Sequence, residues 1–160
     1  MKKLIILFFI LLPVFCSAQS FGIGSQHVKK EKLQLSINSY VPFYQINRVS
    51  SPVVLGLGSG FDYLSPRFKV SGLNVKPISL FLMNNSTSPF TFGMRLDAGY
   101  NFGFGRGNGV VLTPNLYADA SVYYISAGYD YNIHHNRGQF FVRIGVGLTL
   151  GFLKDLINRQ

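Results

Sequence analysis

The stretch FTFGMRLDAGYNFGFG, residues 90 to 105, sets an apolar or aromatic residue at every second position: Phe90, Phe92, Met94, Leu96, Ala98, Tyr100, Phe102 and Phe104. Between them stand Thr91, Gly93, Arg95, Asp97, Gly99, Asn101, Gly103 and Gly105. Successive side chains of an extended chain point to opposite faces, so a two-residue period predicts a long β-strand with one greasy face and one small, polar face. A helical stripe repeats every 3.6 residues and does not fit.

Three more segments share the design. In VVLGLGSGFDYL (53–64), Val53, Leu55, Leu57, Phe61 and Tyr63 oppose Val54, Gly56, Gly58, Gly60 and Asp62. SVYYISAGYDYNI (121–133) sets Tyr123, Ile125, Ala127, Tyr129, Tyr131 and Ile133 against Tyr124, Ser126, Gly128, Asp130 and Asn132. QFFVRIGVGLTLGF (139–152) sets Phe140, Val142, Ile144 and their successors against Phe141, Arg143, Gly145 and Gly147. Weaker alternation marks KLQLSINSYV (32–41), ISLFLM (78–83), GVVLTPNLY (109–117) and FGIGSQHV (21–28). Pro114 in the third of these removes a ladder hydrogen bond unless it sits at a bulge or an edge. Turn-like clusters separate the segments: VKKEK, 42–52, SPRFKVSGLN, NNSTSP, GRGN, a tight unit near 118–120, and HHNRG. The count is seven strands, and eight with 21–28.

The chain opens MKKLIILFFILLPVFCSAQS: a basic pair, Lys2 and Lys3, an apolar run over residues 4–15, and a small-residue site at Cys16, Ser17 and Ala18. That is the layout of a secretory signal peptide, and the run falls short of the ~20 residues a spanning helix needs. Cleavage after Ala18 removes Cys16, the only cysteine, so the mature chain has no disulfide. Acylation at Cys16 is the alternative, but Phe15 is bulky where a lipoprotein signal carries a small residue. Loss of Lys2 and Lys3 leaves thirteen basic residues against six acids, a net charge of +7. Export argues against nucleic acid as the partner of this charge. Lys29, Lys30, Lys32, Arg48, Arg67, Lys69, Arg106 and Arg137 instead fall in connections, as solvated loops or as a patch for lipopolysaccharide.

Alternation of this kind has two settings. A soluble antiparallel sheet turns its apolar face to a core; an outer-membrane barrel turns it to lipid and lines its interior with polar groups. The four best strands run twelve to sixteen residues, beyond the ~5–6 typical of soluble strands and enough for a span of about 9–11. Their polar phase carries glycine rather than lysine or glutamate, as suits a narrow eight-stranded interior. Their five ionisable residues, Asp62, Arg95, Asp97, Asp130 and Arg143, all fall on that phase. They are the predicted site: an interior charge network shared by Arg95 and Arg143 with the three aspartates. Aromatics gather towards the strand ends, the pattern of interfacial girdles.

Catalytic and metal chemistry find little support. His134 and His135 share a turn, but zinc needs three or four ligands and nothing nearby supplies them. Ser121 and Ser126 are near His134 in sequence only, and GLGSG (56–60) lies inside a strand with no following Lys-Ser/Thr. The expectation is no enzyme, no cofactor and no metal.

The order of VVLGLGSGFDYL, PISLFLMNN, SPFTFGMRLDAGYNFG, GYDYNI and FFVRIGVGLTLGF, over roughly residues 53–152, resembles the small outer-membrane β-barrel proteins of the Bacteroidota. The resemblance implies an eight-stranded barrel with short periplasmic turns, longer external loops and no catalytic residues. It departs at LKDLINRQ after Phe152, where such barrels end on an aromatic residue.

The expected protein is thus an all-β, closed, antiparallel up-and-down transmembrane barrel of eight strands. Residues 1–18 are the signal peptide, 19–31 an N-terminal segment with the first strand, 32–152 the barrel and 153–160 a polar tail. It is a monomer of the outer membrane, inserted by the barrel assembly machinery, without an open pore. Its partners are membrane lipid and lipopolysaccharide, met by exposed loops at 65–74 and 134–138, with 84–89 a periplasmic turn and the role structural or adhesive. The rivals are a soluble periplasmic or secreted barrel holding a small apolar ligand, and an outer-membrane lipid-modifying hydrolase.

Overall fold

A computed structural model describes residues 20–28, 33–46, 52–66, 68–84, 90–104, 107–120 and 122–148. They form eight strands: β1 (Ser20–Val28), β2 (Gln34–Ile46), β3 (Val53–Leu64), β4 (Gly72–Asn84), β5 (Phe90–Gly103), β6 (Gly109–Ala120), β7 (Tyr123–Asn132) and β8 (Arg137–Leu148). Each pairs antiparallel with the next, and β1 also pairs with β8, from Phe21↔Leu148 to Val28↔Phe141. The sheet therefore closes on itself in the up-and-down order that the alternation predicts. The weak segment 21–28 is the strand that closes it. The signal peptide, Cys16, Ser121, the turn at 85–89 and the tail at 153–160 lie outside the described residues.

The two faces divide as the periodicity requires. On β5, Phe92 is 54% and Leu96 48% exposed, whereas Thr91 is 0% and Asp97 1% exposed. β3, β7 and β8 repeat the pattern, with Leu55, Ile125, Val142 and Ile144 outside and Asp62, Asp130 and Arg143 within. Glycine on the inner phase makes room for rings. Tyr40 stands over Gly58, Phe81 over Gly56 and Tyr124 over Gly145, where any added Cβ would collide.

Several strand boundaries differ from the sequence expectation, and in β2 and β4 a proline is the reason. β2 does not stop before Pro42 but continues to Ile46, because the register shifts between Pro42 and Tyr44 and a bulge accommodates the ring. β4 begins at Gly72 instead of residue 78, absorbing the end of the expected turn 65–74. Its pairing with β5 jumps from Val75 to Ile78, across Pro77. That bulge reverses the phase: Asn74 and Lys76 face inward before it, Ser79, Phe81 and Met83 after it. β6 runs to Ala120, so the tight unit expected at 118–120 is strand, with the ladder interrupted at Pro114 between the pairs Leu112↔Tyr131 and Asn115↔Gly128. Arg137 and Gly138, expected in a turn, open β8.

An even strand number brings both ends of the sheet to one side. The connections 47–52, 85–89 and 121–122 share that terminal end; 29–33, 65–71, 104–108 and 133–136 share the opposite, distal end. The two sets are of similar length, so the contrast between short turns and long loops implied by the resemblance is weak. The distal connection 65–71 departs in part from the exposed loop expected there: Pro66 and Lys69 are exposed, but its end turns inward. Val70 and Ser71 are buried, and the connection folds back over the mouth of the barrel.

Gly72 sets the exit of that connection. Its φ is +115°, and a Cβ there would press on the Phe102 carbonyl and Gly103 Cα. Gly72→Ala is expected to lower stability by about 1–3 kcal/mol, read as a shift of the urea or thermal unfolding midpoint of the folded barrel; an unchanged midpoint would mean that the connection adjusts freely.

Candidate functional site

The inner phase of eight strands lines a lumen in three layers. At the distal mouth lie the amides Gln26, Gln34 and Gln139; Gln34 and Gln139 hold the backbone of the folded connection, and Gln26 Nε2 donates to Gln34 Oε1 (3.2 Å). Gln34 Nε2 donates to Ser65 O (2.9 Å) and Val70 O (3.0 Å). Val70 N donates to Gln139 Oε1 (3.1 Å), and Gln139 Nε2 returns a bond to Val70 O (3.2 Å). Asn101 Nδ2 donates to Ser71 O (3.1 Å). A buried peptide group must find such partners or lose several kcal/mol.

The middle layer is ionic. Lys76 Nζ lies 2.7 Å from Asp62 Oδ2 and 2.9 Å from Asp97 Oδ2, joining β3, β4 and β5 through one ammonium. Arg95 Nε approaches Asp97 Oδ1 at 2.8 Å, as an ion pair without hydrogen-bond alignment. Arg143 Nη2 reaches Asp62 Oδ2 at 3.3 Å across the lumen and donates to Gln26 Oε1 at 2.8 Å. The result is a chain, Arg143–Asp62–Lys76–Asp97–Arg95, tying four strands together. Asn115 Nδ2 adds a bond to Asp97 Oδ2 (3.3 Å).

Towards the terminal end the third layer is aromatic and apolar. Tyr40 meets Phe81 edge to face at 5.9 Å and packs with Val54 and Met83 against Tyr117. The Arg95 guanidinium lies 4.5 Å above the Tyr40 ring, so a cation–π contact joins this layer to the ionic one.

Of the five residues singled out from sequence, four enter the ion-pair chain: Asp62, Arg95, Asp97 and Arg143. Asp130 is buried on the same phase but pairs otherwise. It accepts from Thr113 Oγ1 at 2.8 Å, and its Oδ2 has no hydrogen-bond partner among the described residues. Lys76, the bridge of the chain, is absent from the sequence-derived set. The signal that could have found it is Pro77: a proline inside an alternating run marks a bulge, and a bulge moves the preceding lysine to the inner phase.

Among the described residues, those weighed for chemistry do not assemble. The His134 and His135 rings are 4.9 Å apart, edge to face, in the turn 133–136. Among the described residues no group of three or more His, Cys, Asp or Glu side chains could hold a metal ion. Ser126 sits six residues before the end of β7, about 20 Å along the strand from that turn. The ions of the central network serve one another: Asp62 is held by Lys76 and Arg143, and Asp97 by Lys76 and Arg95.

Removing one member of a buried ion pair typically costs 3–5 kcal/mol, because the partner stays charged and unpaired. Lys76→Met strips a cation from two aspartates and is expected to cost about 3–5 kcal/mol. Arg95→Ala leaves Asp97 its lysine and should cost less. Equal midpoints for Lys76→Met and wild type in urea unfolding would show the chain to be energetically idle. Comparison of the protein with protein-family models, with curated proteins and with solved structures found no match.

Proposed function

We propose that the chain is an exported outer-membrane β-barrel protein with a filled lumen and a structural or surface-interaction role. The observation that carries this reading is the outer surface. An aliphatic belt of Leu55, Leu80, Met94, Leu96, Leu116 and Ile144 is exposed around the barrel. Exposed aromatic residues flank it at both ends: Phe43, Tyr44, Phe90, Phe92 and Tyr123 towards the terminal end, Tyr100, Phe102, Phe104 and Phe140 towards the distal end. From Phe92 to Phe102 the strand advances roughly 33 Å at ~3.3 Å per residue, or about 25 Å along the axis at the usual barrel tilt. That equals the ~25 Å apolar band of outer-membrane barrels. In water such a surface would expose far more contiguous apolar area than a soluble monomer tolerates.

A soluble barrel holding an apolar ligand needs the greasy phase inside, where this chain keeps its aspartates and arginines. The hydrolase reading needs a serine beside His134, and Ser126 lies far from it. The lumen layers favour a barrier over a pore: amides, ion pairs and rings occupy it in succession, and the 65–71 connection covers the mouth.

Two measurements test the proposal. The mature protein should fractionate with outer membrane, resist extraction without detergent, and migrate differently in a detergent gel before and after boiling; recovery in the soluble fraction would overturn it. Leu96→Arg should destabilise the barrel in lipid by about 2–4 kcal/mol and Phe90→Arg by about 0–1, since the cost of a charge falls with distance from the bilayer midplane. Equal effects of the two would contradict a lipid-facing belt.

A further inference from the structure

The eight-stranded order sorts the charge of the connections sharply by end. The four distal ones carry Lys29, Lys30, Lys32, Arg67, Lys69 and Arg106 in sequence, with Glu31 as their only acid, and Arg137 follows directly at the start of β8. The three terminal ones carry Arg48 alone. Three residues at the distal end are described and exposed: Lys69, His134 and Arg137. The Val70–Gln139 bonds fix their neighbourhood, because Lys69 precedes Val70 and Arg137 stands two residues before Gln139. Tyr131 Oη donates to Asn136 Oδ1 at 2.7 Å and so braces the turn between His134 and Arg137. On the outer wall below lies an aromatic patch in which the Tyr129 ring meets Phe140 at a tilt, centroids 4.5 Å apart, and stacks on Tyr131 at 6.3 Å.

We propose that this distal mouth binds the phosphate groups of a phosphorylated glycolipid in the surrounding membrane leaflet, with Lys69 and Arg137 as its cationic contacts and His134 as a ring N–H donor beside them. The inference rests on the membrane reading above and names a partner for its outer rim. Charge complementarity commits the occupant: a guanidinium and an ammonium suit phosphate oxygens. An amphiphile also explains why the cations share one end of the barrel with these outer rings and border the aliphatic belt. Its phosphates meet the mouth while its acyl chains run down past Tyr129 and Phe140. A free anion would have no use for that apolar surface.

The test uses the mature protein folded into zwitterionic phospholipid nanodiscs. The probes are a diphosphorylated, acylated glucosamine disaccharide, its dephosphorylated form and inorganic phosphate. Binding and thermal midpoint are both measured. The phosphorylated lipid is expected to bind about tenfold more tightly than the dephosphorylated one, and Lys69→Gln with Arg137→Gln to abolish about that factor. Raising the salt to screen exposed charges should weaken wild-type binding. Arg48→Gln, on the terminal side, should leave it unchanged. If the double variant fails to fold, each single substitution should weaken binding by about threefold. Wild-type affinity in folded variants, full competition by inorganic phosphate, or equal weakening by Arg48→Gln would overturn the assignment. A wild-type protein that forms no heat-modifiable species in nanodiscs would instead count against the membrane reading on which the assignment stands.

Discussion

Closure of the backbone ladder between β1 and β8 is the constraint on which everything else hangs. A sheet of eight long strands with free edges would present two rows of unsatisfied peptide groups, unsustainable in lipid and an aggregation hazard in water. Joining β1 to β8 removes both rows and defines an inside and an outside. Side chains must then alternate between a bounded volume and an unbounded one. The inner residues are chosen by fit and by mutual charge, the outer ones by the medium. That asymmetry explains why glycine, amides and ions share one phase while large apolar side chains occupy the other.

Inside, fit and charge are interdependent. Glycines at 56, 58 and 145 leave space into which Phe81, Tyr40 and Tyr124 extend. Tyr40 in turn offers its face to Arg95, whose charge is balanced by Asp97. Replacing a small residue on one strand therefore disturbs an ion pair on another. A narrow barrel cannot treat packing and electrostatics as separate matters, because a ring such as Tyr40 borders a charge such as Arg95 directly.

Much of this was legible in the chain, and the limits have physical causes. Strands β3, β5, β7 and β8 keep strict two-residue alternation, so their phases, including those of Asp62, Arg95, Asp97 and Arg143, follow from the pleat alone. β4 does not keep it. The extra residue at Pro77 reverses the phase midway, which hid both the start of the strand and the inward position of Lys76. Pro42 shortened the apparent β2 in the same way. The folded 65–71 connection was illegible for another reason: its sequence, SPRFKVS, is polar and turn-like, and its burial depends on acceptors and donors at Gln34 and Gln139, far away in the chain. Asp130 shows that phase does not dictate partner, since Thr113 reaches it before any cation does.

The grip on Val70 carries a consequence for the order of events in folding. Its carbonyl is held by Gln34, near the start of the sheet, and by Gln139, on the last strand to be synthesised. Until β8 arrives, the connection between β3 and β4 has only half of its clasp. Docking of the final strand therefore completes two structures in one step, the cylinder and its lid. A barrel in which the last strand has not yet joined is at once unclosed at the seam and uncovered at the mouth.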